Sequence, residues 1–337
     1  MKFKNPTFVA VALSAVLATL AIPQDVQAQQ VWKATVGAQS KDMSKQAIAF
    51  LPNELWIHAG DSITWTSASG DIHTVSFLIA GQPLTDFTVG CPGYSPSGSS
   101  FNGSTCVTAP PLSAGQDFTV KFPVAGNYKL ICLVHTHMTG VIHVLAASAA
   151  LPHDQSFYDD QAANQQHSLL ADTDQNEEHQ GRDHLKNMLS VRVLPGTGVA
   201  AGIGEMASTA AGFQSLSVVR FLGGTIEIHT GETVEWSNLD PAMPHTVTFG
   251  TAPANPGPPS ANVTVDADGG RHATITAPGE NVHSGIMVAA PQNQMGVAQS
   301  PPGVTVFRIT FKKPGTYDYN CELHDNLGMV GKVIVRP

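Results

Sequence analysis

Two short stretches hold most of the side chains able to do chemistry. In the first, Cys132-Leu133-Val134-His135-Thr136-His137-Met138 sets a thiol, an imidazole and a thioether close together, with His73 upstream. In the second, Cys321-Glu322-Leu323-His324-Asp325-Asn326-Leu327-Gly328-Met329 repeats the order, with His245 upstream. An ion that cycles between Cu(I) and Cu(II) needs a compromise set of ligands. Thiolate and thioether suit Cu(I), imidazole suits both states, and two His with one Cys and a weak axial Met combine them. The candidate ligands are therefore His73, Cys132, His135 and Met138 for one copper ion, and His245, Cys321, His324 and Met329 for a second. Zinc could use the His and Cys donors, but a thioether is a poor zinc ligand. A lone Cys-x2-His would be a weak signal. The same four ligands in the same order, twice in one chain, are a strong one.

These ligands need strands to position them, and an internal repeat supplies the strands. Ile57-His58-Ala59-Gly60-Asp61-Ser62-Ile63-Thr64-Trp65 is echoed by Ile228-His229-Thr230-Gly231-Glu232-Thr233-Val234-Glu235-Trp236. Asp71-Ile72-His73-Thr74-Val75 is echoed by Met243-Pro244-His245-Thr246-Val247, and Gly126-Asn127-Tyr128 by Gly315-Thr316-Tyr317. The period is a whole domain rather than a short solenoid unit. Phe118, Val120 and Phe122 alternate with Thr119 and Lys121, as Phe307, Ile309 and Phe311 alternate with Arg308 and Thr310. Alternation of period two puts one face on a core and the other in water. Many such strands, broken by Gly and Pro, predict an all-β chain of two Greek-key β-sandwich domains.

The rest of the chain divides around those domains. Residues 1–28 read as an export signal: Lys2 and Lys4, an apolar run from Phe8 to Ile22, and small residues for cleavage at Val26-Gln27-Ala28. That run is shorter than the ~20 residues a membrane span needs, and no later segment is long and apolar enough. Residues 29–148 form the first domain, 149–190 an acidic linker, and 191–337 the second domain. Of the net charge of −9, the linker alone carries −6, and it also holds His153, His167, His179 and His184. Helix is plausible near Asp183 to Leu189, and Thr251 to Gly303 reads as short strands with a large loop. With no basic patch, nucleic acid is not an expected partner. Cys91 and Cys106 bracket a Gly/Ser/Pro-rich loop that a disulfide would staple, while Cys132 and Cys321 occupy matched repeat positions as ligands. Such a staple adds about 3 kcal/mol if unstrained. His58, His229, His272 and His283 are read as structural or exposed, and His137 as a solvent-facing loop residue.

These residues resemble the cupredoxin family, the plastocyanin- and azurin-like blue copper proteins. Cys132-x2-His135-x2-Met138 has the spacing of amicyanin, and Cys321-x2-His324-x4-Met329 that of plastocyanin and pseudoazurin. The resemblance implies one type 1 copper per domain and outer-sphere electron transfer through the exposed edges of His135 and His324, and the export signal a periplasmic or secreted location. It further implies a redox protein partner such as a cytochrome or a copper enzyme, and leaves an oligomer open. The chain departs from the family at Thr74 and Thr246, where an Asn usually follows the ligand His and ties the two ligand loops together. Three other readings have to be weighed. A two-domain multicopper oxidase or copper nitrite reductase would need extra His ligands and a His directly beside the Cys. Here Cys132 follows Ile131, and Cys321 lies between Asn320 and Glu322. Copper storage or delivery is the third reading, and it predicts ready loss of metal to an acceptor.

Overall fold

The computed structural model describes residues 29–82, 91, 93–135, 137–171, 198–223, 225–289 and 305–337. The expected export signal and the expected helix near Asp183 to Leu189 both lie outside the described residues. The first half contains β1 (Val31–Gln39), β2 (Lys45–Leu51), β3 (Glu54–His58), β4 (Ser62–Ser67), β5 (Ser76–Phe77), β6 (Ser99–Ser100), β7 (Val107–Thr108), β8 (Asp117–Lys121), β9 (Gly126–Ile131) and β10 (Thr139–Leu145). Helix α1 (Gln155–Ala171) follows. The second half contains β11 (Gly198–Thr209), β12 (Gly212–Leu222), β13 (Thr225–His229), β14 (Thr233–Leu239), β15 (Thr248–Phe249), β16 (Thr264–Val265), β17 (Arg271–Ile275), β18 (Val282–His283), β19 (Val306–Phe311), β20 (Gly315–Asn320) and β21 (Val330–Arg336).

Each half is a β-sandwich, as the alternating strands predict. Its own sheet is β3-β10-β9-β5-β7 in the first half and β13-β21-β20-β15-β18 in the second. The opposing layer is shared. A single eleven-stranded sheet runs β16-β17-β19-β14-β11-β12-β2-β1-β4-β8-β6 through both halves. Trp65 and Trp236, at equal repeat positions, are fully buried between the layers. Cys91 and Cys106 are joined in the expected disulfide.

The join between the halves is the main departure from two domains on a linker. β2 pairs antiparallel with β12, and Gln46 sits opposite Ser217. By the register that aligns Phe50 with Phe221 and His58 with His229, Gln46 and Ser217 are equivalent residues. Equivalent edges therefore meet about a local two-fold, as self-complementary surfaces do in symmetric dimers. Pairing removes two open sheet edges, which would otherwise be exposed to adventitious strand addition.

Helix α1 covers the outer face of this join. Asp154 caps its start, its carboxylate accepting the Phe157 amide at 3.0 Å. Tyr158, Ala162, Gln165 and Leu169 recur at helical spacing. Tyr158 is fully buried against Trp32, and its hydroxyl accepts the Trp56 amide at 2.9 Å. Ala162, Leu169 and Leu170 pack on Ala38, Ala47, Ala49 and Leu51. Covered by α1 on one side and core on the other, β2 is buried at every position. Among the described residues, no helix is long and apolar enough to cross a membrane.

Candidate metal centres

The upstream histidines are held from both backbone directions. The His73 amide donates to the Leu112 carbonyl at 3.2 Å and the Leu112 amide to the His73 carbonyl at 2.7 Å. His245 and Met287 make the same pair at 3.0 and 2.8 Å. Behind each ring stands a glycine on a β-bulge: Gly37 (φ 69°) beside His73 and Gly202 (φ 75°) beside His245. A Cβ at either would overlap the imidazole Nε2, so the space and the left-handed backbone both call for glycine.

The remaining candidate ligands come from the loops β9–β10 and β20–β21. Each loop closes on itself, because the Cys132 amide donates to the Met138 carbonyl at 3.0 Å and the Cys321 amide to the Met329 carbonyl at 3.0 Å. The longer second loop spends its extra residues on a 3-10 turn at Asp325–Leu327, ended by Gly328 at φ 86°. Met138 and Met329 are fully buried. The thiols receive backbone N–H groups, from Thr74 to Cys132 Sγ at 3.4 Å and from Thr246 to Cys321 Sγ at 3.3 Å. The same threonines tie the loops: Thr74 Oγ1 accepts the Leu133 amide at 2.7 Å, and Thr246 Oγ1 accepts the Glu322 amide at 2.8 Å. A threonine hydroxyl thus makes the cross-link for which the family pattern uses Asn.

The donor atoms converge. His73, Cys132 and His135 place their ligand atoms within 4.8 Å of one another, as do His245, Cys321 and His324, and all six residues are buried. His73 Nδ1 lies 3.2 Å from His135 Nδ1, which lies 3.7 Å from Cys132 Sγ. In the second set the Nδ1 atoms are 3.2 Å apart, and Cys321 Sγ is 3.5 Å from His324 Nδ1 and 3.9 Å from His245 Nδ1. Metal–nitrogen bonds of about 2.0 Å and metal–sulfur bonds of about 2.3 Å in a plane separate such donors by about 3.5–3.7 Å. The spacing fits one first-row ion per set. Two imidazole nitrogens facing at this distance repel unless a proton or a cation lies among them. Burial pushes both thiols up, but the paired imidazoles outweigh it and hold Cys132 and Cys321 well below the usual thiol range. The sulfurs are therefore poised as thiolates, the form that binds metal.

The groups behind the imidazoles differ between the sets. His73 Nε2 is 2.9 Å from Ser69 Oγ, whereas His245 Nε2 is 3.7 Å from Asp240 Oδ2, at the equivalent position four residues after the tryptophan. His135 Nε2 is 2.9 Å from Asp71 Oδ2. Burial favours neutral forms for this pair. Their mutual attraction wins, raising His135 and holding Asp71 well below the usual carboxylate range. With each Nε2 turned to such a partner, Nδ1 is the nitrogen left facing the other donors.

One expectation is overturned. The edges of His135 and His324 do not reach solvent: the side chains are only 1% and 4% exposed, and both turn Nε2 toward Asp71. Asp71, in the connection between β4 and β5, lies against both rings. His137 is also not free in solvent; it is half-buried, at φ 68°, with its ring edge-on to Phe213 of β12. The structural reading holds for His58, whose Nε2 meets the Ala149 carbonyl oxygen at 2.8 Å, and for His283, wedged between Thr248 and Pro256. His153 stacks on Phe157, and His272 lies beside Asp266. His179 and His184 fall outside the described residues.

Comparison with known proteins agrees with this geometry. The family described as copper binding proteins, plastocyanin/azurin family, matches residues 37–145 and 207–336. Plastocyanin from Ginkgo biloba is 29% identical over 99 residues, covering 29% of this chain and 88% of that protein. Amicyanin-alpha from Methylorubrum extorquens is 29% identical over 135 residues, covering 40% of this chain and 94% of that protein. Among solved structures, a reduced amicyanin variant aligns at 19% identity and a TM-score of 0.24, covering 34% of this chain and 82% of that one. Both halves carry the family's pattern, and the chain belongs to the plastocyanin/azurin family of copper-binding proteins.

Proposed function

We propose that this protein is an electron carrier that holds two type 1 copper ions outside the cytoplasm. His73, Cys132, His135 and Met138 would hold one, and His245, Cys321, His324 and Met329 the other, in domains spanning 29–148 and 191–337. The observation that carries this reading is the pair of buried donor sets, each with two Nδ1 atoms and one Sγ facing a common point. Copper bound there supplies a one-electron couple.

The protein's own groups make that couple usable. The ligands are fixed by backbone pairs, loop-closing hydrogen bonds and the threonine cross-links, so they move little when the charge changes. N–H groups aimed at Cys132 and Cys321 withdraw charge from the thiolates, which favours the reduced state. Asp71 and Asp240 act in the opposite sense by placing negative charge behind imidazoles. The two sets have unequal loops and unequal partners, Ser69 against Asp240, so two distinct midpoint potentials are expected. The nitrogen and thiol donors are all buried, an arrangement better suited to outer-sphere transfer than to binding a substrate at the ligand set. The proposed extracytoplasmic location draws on the export signal expected from the sequence of residues 1–28 and on the Cys91–Cys106 disulfide, a bond suited to oxidising compartments. The expected partner is a redox protein, a cytochrome or a copper enzyme.

A spectroelectrochemical titration tests the reading. The copper-loaded chain should take up two electrons reversibly, bleaching a strong thiolate-to-copper band in two steps. Copper that binds without that band, or that cannot be cycled, would rule the reading out.

A further inference from the structure

We infer that Asp71 couples the two ligand sets, and that the path His135–Asp71–His324 carries electrons between them. The inference rests on the proposed copper occupancy and goes beyond it by assigning a connection between the sites.

The geometry is specific. His135 offers Nδ1 to its own set and Nε2 to Asp71 Oδ2 at 2.9 Å. His324 belongs to the other half of the chain, offers Nδ1 to its own set, and turns Nε2 toward Asp71 Oδ1 at 3.9 Å. A single carboxylate thus faces one ligand imidazole from each set, and all three side chains are at least nine-tenths buried. The Ile72 amide donates to Asp71 Oδ1 at 2.8 Å and fixes the carboxylate, while Oδ2 has no aligned hydrogen bond. Its close ionic contact is the His135 imidazole.

The surroundings hold the halves in this register. Asn326 Nδ2 donates to the Gly70 carbonyl at 3.4 Å, bringing the second ligand loop onto the residue before Asp71. Gly70 lets that loop approach, since a Cβ there would lie 2.6 Å from Leu327 Cδ2. Arg220 donates to the Leu327 carbonyl at 2.7 Å and to the Asp42 carbonyl at 2.8 Å, bridging the halves beside the site. The β2–β12 pairing fixes the rest. Within its own half Asp71 orients His135, and it has no acidic counterpart in Met243-Pro244-His245, so this one carboxylate faces both sets.

In this arrangement an electron delivered by an external one-electron donor to one set passes through the two imidazoles and the carboxylate to the other. One site is oxidised as the other is reduced, Asp71 stays ionised, and no bond forms or breaks. The shared negative charge also links the sites thermodynamically, since it stabilises the oxidised state of both.

The decisive comparison is Cys132→Ser with and without Asp71→Asn in the full chain. Cys132→Ser removes the first set's thiolate, so every thiolate-copper signal then reports the second set. If Asp71 serves both, adding Asp71→Asn raises the midpoint of the second site and lowers its copper affinity about tenfold or more, the usual loss when a carboxylate behind a ligating imidazole is removed. In the otherwise native protein, Asp71→Asn slows inter-site exchange after pulsed one-electron reduction, whereas Asp71→Glu, which keeps the charge, restores copper affinity better than Asn does. A second-site midpoint and affinity unchanged by Asp71→Asn, with the first site altered, would overturn the coupling and leave the two-copper reading standing. Absence of thiolate-copper colour in Cys132→Ser alone would instead defeat the copper reading of the second set.

Discussion

Replacing Thr74 by valine tests whether a threonine hydroxyl ties the ligand loops. Valine keeps the branched shape and volume, so packing is preserved and only the hydroxyl is lost. That hydroxyl accepts the Leu133 amide at 2.7 Å, and both residues are buried, at 2% and 7% exposure. Thr74→Val leaves this N–H without a partner and without water. An orphaned buried donor costs about 1–3 kcal/mol, against about 1 kcal/mol for an average hydrogen bond lost with both partners. Ser76 also donates to Thr74 Oγ1, at 3.2 Å, but keeps its bond to Thr108 at 2.6 Å and adds little to the cost. The loss corresponds to a fall of about 2–8 °C in melting temperature for each kcal/mol, depending on the size of the cooperative unit. The assay is urea unfolding of the copper-free protein followed by tryptophan fluorescence, with Thr74→Ser as the control that keeps the oxygen. Equal midpoints for Thr74→Val, Thr74→Ser and the parent would refute the cross-link.

Gly37→Ala and Gly202→Ala should each cost at least about 1 kcal/mol, since alanine is strained at positive φ, and each should shift only the spectrum of the copper whose histidine it crowds; metal-free stability and single-site spectra check this. Arg220→Met removes the donor that spans the Leu327 and Asp42 carbonyls, so the second ligand loop should exchange its amide hydrogens faster while the β9–β10 loop does not. Stability should also fall at high pH through Tyr319. Burial pushes its phenol up to about 12, so its contribution is complete below the unfolded value near 10 and is lost as pH rises toward 12. Tyr319 should account for about 2 kcal/mol of that loss, and Tyr319→Phe should lower the loss by that amount, while Tyr128, Tyr158 and Tyr317, also raised by burial, keep the remainder; denaturant titrations from pH 8 to 11.5 on the parent and the variant check this.

The candidate centres were legible because three of four ligands in each set sit in one short loop, and because the chain writes the pattern twice. The sandwiches were legible wherever one face meets solvent, as around Trp65 and Trp236. What stayed hidden depends on contacts between distant segments. β2 lacks alternation because α1 covers its outer face, so its apolar run did not mark it as the strand that joins the halves. The helix itself presents Tyr158, Ala162, Leu169 and Leu170 on its inner side, with Gln165 among them, too thin an apolar stripe to stand out in an acidic stretch. Gly37 and Gly202 could have been found, since they recur before equivalent strands. Asp71 could not: its meaning comes from His324, which the shared sheet brings across from the far end of the chain.

The central claim is two thiolate-bound copper ions per chain, and electron paramagnetic resonance with copper analysis on the mature protein and its single cysteine variants tests it most directly. The account predicts two coppers, both with narrow hyperfine splitting, and one lost in each of Cys132→Ser and Cys321→Ser without loss of the other. A single copper per chain, or copper with wide splitting that survives both substitutions, would contradict it.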